Sequence, residues 1–144
     1  MIKIKGLDTV IKQLKALGKE GLQRISETTE ANAAELEFKA KRNSERAFNF
    51  GDLKSNILAV EVDKLKYKVT TNAFGNAPYS AYVEFGTGGL VKVPTEMKDV
   101  AIQFLGQGIK EVNLPARPYL YPALLEQRKQ YLKDLKQDLK DLTK

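Results

Sequence analysis

The chain has 144 residues, 42% of them hydrophobic and 29% charged, which suits one domain with its own core and is too apolar for a disordered chain. It contains neither cysteine nor histidine, which excludes disulfides, thiolate zinc sites, imidazole metal ligands and the Cys–His and Ser–His nucleophile pairs. Net charge is +6, with ten basic and seven acidic groups in 1–50, six of each in 51–100, and eight and five in 101–144.

Both ends are therefore basic and the middle neutral. That pattern fits a solvated lysine-rich surface better than a dedicated nucleic-acid site, since no arginine cluster or aromatic-basic platform accompanies it. No apolar run approaches the roughly 20 residues a membrane helix needs. The opening "MIKIKGLDTV" has no uninterrupted apolar segment of secretory type, so a cytoplasmic location is expected.

The first element is helical. Leu7, Val10, Ile11, Leu14 and Leu17 fall at helical spacing, and the stripe continues through Leu22, Ile25, Thr29, Ala33, Leu36 and Ala40. Asp8 is the expected N-cap. Gly18 and Gly21 interrupt the pattern, so residues 8–17 and 19–46 are either two helices or one bent helix. "FNFGDLKSN" predicts a turn at Gly51 and Asp52.

Alternation then replaces the helical period. "NILAVEV" places Leu58, Val60 and Val62 on one face and Ile57, Ala59 and Glu61 on the other. "LKYKVTT" points Leu65, Tyr67, Val69 and Thr71 inward and Lys66, Lys68 and Thr70 outward. The short Asp63-Lys64 link predicts an antiparallel hairpin with one wet face. "YSAYVEF" has aromatics at Tyr79, Tyr82 and Phe85, a spacing of three that predicts a short helix stopped by Gly86. "GLVKV" is expected as a further strand, and Pro94 as the opening of a helix with Met97, Val100, Ala101, Phe104 and Leu105 as its stripe.

Three prolines in "LPARPYLYPALL" predict an extended entry and a helix start between Pro118 and Pro122. Leu132, Leu135, Leu139 and Leu142 follow at alternating three and four, which fits a short coiled-coil seam or packing on the same domain equally. The expected fold is α+β: a small, mostly antiparallel sheet packed by a long N-terminal helix and a C-terminal helix, as one domain over 1–144.

Candidate sites are few. "GTGGLVK" lacks the Gly-Lys-Ser/Thr of a phosphate loop and reads as a helix stop with a hinge. Glu84, between aromatics, has the setting of a carboxylate with a raised pKa, but nothing in the sequence places a second carboxylate opposite it. The bland alternative is a carboxylate paired to arginine or capping backbone amides. Arg117, held between Pro115 and Pro118, is the candidate ion-pair partner. Tyr119 and Tyr121 are interface anchors or ordinary core. No catalytic, cofactor or metal residue is assigned.

Two motifs stand in order: "APYSAYVEFGTGG" (Ala77 to Gly89) and "ARPYLYPALLE" (Ala116 to Glu126), with "GLDTVIKQLKAL" and "FGDLKSNI" upstream. Together they resemble the phage tail-component family typified by the gene-ten product of the lambdoid phage HK ninety-seven, described as tail-completion or head–tail joining protein. The resemblance covers nearly the whole chain. It departs at "GDLKSNI", which lacks the expected threonine and preceding proline, at Ser80, which stands for an alanine, and at 93–112, which looks like a helical insertion.

The resemblance implies a structural virion protein at the neck, acting by ring assembly, with six copies typical, against head-connector and tail-tube or terminator proteins. It implies no cofactor and no chemistry. Tyr82, Glu84, Phe85, Gly86, Arg117, Pro118, Tyr119 and Tyr121 become structural or interface candidates. Lys66 and Lys68 become candidates for contact with passing DNA. A tail terminator and a basic nucleic-acid-binding module are the alternatives, with a small enzyme using Glu84 behind them.

Overall fold

The computed structural model describes residues 6–15, 18–47, 51–72, 74, 75, 77–101 and 114–143. In chain order the elements are α1 (Leu7–Lys15), α2 (Gly18–Ala47), α3 (Gly51–Ser55), β1 (Leu58–Asp63), β2 (Lys66–Thr70), α4 (Ser80–Phe85), α5 (Lys98–Ala101) and α6 (Leu120–Leu142). Short 3-10 turns at Gly88–Leu90 and Thr95–Met97 lie between α4 and α5. The fold is α+β, with long helices near both ends and a two-stranded antiparallel sheet, as expected.

The N-terminal stripe is two helices rather than one. Gly18 takes φ +85°, a left-handed conformation that glycine adopts without a Cβ penalty, and α2 begins there. Asp8 lies inside the first turn of α1 rather than at its cap, because the helix starts one residue earlier at Leu7; its charge still opposes the positive end of the helix. Gly51 and Asp52, expected as a turn, open the short helix α3, whose Leu53 is wholly buried. Residues 48–50 and 102–113, including Phe104 and Leu105, lie outside the described residues.

The hairpin has the register Leu58↔Thr70, Ala59↔Val69, Val60↔Lys68, Glu61↔Tyr67 and Asp63↔Lys66, with an irregularity between Glu61 and Asp63. Opposed residues share a face. Val69 packs into the main core and Leu65 into a second cluster, as the alternation predicts. Glu37 of α2 accepts the Ala59 amide (2.7 Å), satisfying an edge donor of β1. "GLVKV" forms no strand: Gly88–Leu90 is a 3-10 turn, and the Lys92 amide bonds the Phe85 carbonyl (2.7 Å).

Helices α2 and α6 run antiparallel, since Arg24 meets Asp138 and Asn43 meets the Tyr119 carbonyl. Their seam has three zones. At one end Ile25, Tyr131 and Leu135 pack with Leu7, Val10 and Leu65. At the other, Ala40, Leu53, Ile57, Val83, Tyr119 and Ala123 form the main core. Between them runs a polar band. Thr29 bonds the Tyr131 hydroxyl (2.8 Å), Asn32 donates to Asp134 (2.9 Å), and Lys39 donates to Gln127 (2.8 Å). Leu135, Leu139 and Leu142 of α6 thus serve intramolecular packing.

Candidate functional site

The opening of α6 is held by contacts from a segment about 30 residues upstream. A helix leaves its first four amides without intrahelical partners. Here they belong to Tyr119, Leu120, Tyr121 and Pro122, and proline has none to offer. Tyr119 provides no side-chain cap. Glu84, on α4, does the work from 35 residues upstream: one oxygen accepts the amides of Tyr119 (2.8 Å) and Leu120 (2.9 Å), and the other accepts Tyr121 (2.9 Å). A carboxylate at the positive end of a helix is electrostatically matched to it.

Glu84 is only 4% exposed. Burial pushes its pKa above the ordinary carboxylate value, while the three amides pull it back down. The carboxylate is therefore spoken for by the backbone. The expected pairing with Arg117 is replaced by amide capping, because the Arg117 backbone is what docks: its amide donates to the Val83 carbonyl (2.8 Å), while its side chain faces outward.

Gly86 completes the corner. Its φ is +78°, and a Cβ there would stand 2.8 Å from the Ala116 nitrogen and the carbonyl oxygens of Leu114 and Leu90. Only glycine lets the two strands of chain approach this closely. Thr87 clamps the far side, its amide donating to the Leu114 carbonyl (2.9 Å) and its hydroxyl accepting the Leu114 amide (2.9 Å). The "GTGG" run is thus a structural corner that grips the proline-rich entry to α6.

The candidate residues divide accordingly. Tyr119 is core, fully buried, with its hydroxyl donating to the Ser80 carbonyl (3.3 Å) and its pKa driven far up by burial. Phe85 is buried with Met97 and Ala101, and Tyr121 packs half-buried against that cluster. Tyr82 is half-buried and Pro118 exposed. Lys66 and Lys68 are exposed on the hairpin, on the sheet face that carries Val60 and Val62, which are 45% and 52% exposed.

Sequence reasoning missed the buried polar contacts between α2 and α6. Asp138 is buried, accepting from Arg24 Nε (3.0 Å) and the Thr28 hydroxyl (2.5 Å). The signal was present: Thr29 and Asn32 lie at core spacing on a stripe otherwise filled by aliphatic residues. Among the described residues no cluster of acidic side chains is arranged to hold a metal ion, and no helix is long and apolar enough to cross a membrane.

A sequence profile described as "Bacteriophage HK97-gp10, putative tail-component" matches residues 8–86, more than half of the chain. The chain belongs to that phage tail-component family. The match runs from α1 through the hairpin and ends at Gly86 of the corner. No curated protein and no solved structure matches the chain.

Proposed function

We propose that this tail component completes the tail at the neck of a long-tailed phage or prophage and joins it to the head connector. It acts by assembling into a ring, with six copies the expected number, and not by catalysis. The observation that carries the reading is the family match over 8–86 taken with the corner it ends in. The most deeply buried carboxylate of that corner, Glu84, has both oxygens engaged by backbone amides, so it serves as a staple and not as a general acid or base. The segment 93–112 is read as an insertion between the two family motifs.

Deletion of the gene from the parent phage or prophage, followed by electron microscopy of the induced lysate, tests the role. Full heads and finished tails lying apart are the expected outcome. Tails of uncontrolled length would assign the protein as tail terminator instead. Intact, infectious virions would refute the neck role. The net charge of +6 keeps one second reading in view, contact with DNA phosphates. Steeply salt-dependent DNA binding by the isolated chain would favour it.

A further inference from the structure

Among the described residues, two of the outward faces with uncovered apolar side chains carry charges of opposite sign. On the hairpin, Val60 and Val62 lie beside Lys66 and Lys68, and neither lysine has an ion-pair partner among the described residues. Asp63, opposite Lys66 in the register, turns one oxygen back onto the Lys64 amide (2.7 Å). This face is apolar and basic.

The second face lies on α2. That helix meets α6 through Arg24, Thr28, Asn32 and Lys39, and the hairpin through Ser26 and Glu37. Residues 27, 31, 34 and 38, at spacings of four and three, form a stripe between these contacts, directed away from both. They are Glu27, Ala31, Ala34 and Phe38, all exposed, Phe38 by 59%, with exposed Glu35 alongside. Arg42 marks the C-terminal end of the stripe. This face is apolar along its middle, with Glu27 at its N-terminal end and Glu35 beside it.

The two faces complement each other, and the hairpin face opposes itself. Hairpin against hairpin sets lysines beside lysines, which is unfavourable, whereas the same lysines set against the glutamates of α2 attract. We propose that the hairpin face of one copy docks on the outer stripe of α2 of the next copy. Such a contact is heterologous, and its repetition closes a ring when the rotation per copy divides a full turn. The inference rests on the ring-assembly reading above and assigns the surfaces that reading requires. It places Lys66 and Lys68 in a protein contact.

The chain has no cysteine, so introduced thiols report alone. Full-length V62C and A34C variants, mixed and treated with a short bismaleimide, are expected to give a V62C–A34C heterodimer in excess of either homodimer. K66E/K68E, altered only at exposed positions, is expected to weaken self-association in sedimentation about tenfold or more, and E27K/E35K as its partner to restore it. Predominant V62C or A34C homodimers would overturn the head-to-tail assignment. Wild type that sediments as an oligomer yet gives no V62C–A34C product would leave ring assembly standing and remove these surfaces. Wild type that stays monomeric at about 1 mM, where even a weak contact is half occupied, would remove the self-association reading itself. Loss of DNA binding in K66E/K68E with unchanged association would return the lysines to DNA.

Discussion

Glu84 was visible in the sequence as an isolated carboxylate among aromatics, but its partners were not, because they are backbone amides 35 to 37 residues away. A clue lay at the other end. Tyr119 is a poor N-cap, and a helix start without a local cap calls for an acceptor from elsewhere. Glu84→Ala leaves three donors unpaired, one buried and two partly buried, and is expected to cost about 2–4 kcal/mol in urea unfolding, since one unsatisfied buried group costs about 1–3. The pH dependence has a definite sign. The folded-state pKa of Glu84 lies above its ordinary value, so its contribution to stability is greatest below that ordinary value and falls as pH rises through the folded pKa. Glu84→Gln lacks this titration, so its stability is expected to gain on wild type as pH rises from about 4.5, the ordinary carboxylate value, and parallel melts across pH check it. Gly86→Ala meets both a left-handed φ and three backbone atoms at 2.8 Å, and is expected to cost more than about 3 kcal/mol.

At the scale of elements, periodicity located what it could. The split of the first helical stripe, the hairpin, the short helix before Gly86 and the start of α6 all follow from spacing and from glycine and proline chemistry. The expected strand at "GLVKV" failed because a strand needs a neighbour, and local alternation does not supply one; the Lys92 amide finds a helix-end carbonyl instead. The polar contacts of the α2–α6 seam are where side-chain geometry decides energies. Arg24 meets Asp138, whose side chain is 11% exposed, and Asp141, at 27%. Coupling free energies from double-mutant cycles are expected to be larger for Arg24–Asp138, about 1–2 kcal/mol, than for Arg24–Asp141, about 0.5, because water screens the second pair more.

For the whole molecule, α6 is the element on which the others depend. It closes both apolar clusters of the seam and receives the staple from α4. A chain ending at Pro118 exposes Ile25, Ala40 and Leu53 and strands Glu84 without its amides. It is expected to lose cooperative unfolding, read as a sloping denaturation profile with no midpoint. The surfaces left outward are then the ones that meet other proteins, which fits the membership of a tail-component family whose members work in assemblies.

The sequence by itself determined the α+β class, the order of the helices and the hairpin, the absence of thiol and imidazole chemistry, and the family resemblance. These depend on composition and on neighbours within a few residues, which the chain carries wherever it goes. Only the tertiary structure decided that Glu84 caps α6, that Tyr119 is core, that Leu135, Leu139 and Leu142 face inward, and that Val60 and Val62 stand uncovered beside two lysines. Each of these depends on which distant segment comes to lie opposite, and that is fixed by packing across the α2–α6 seam rather than by any local pattern.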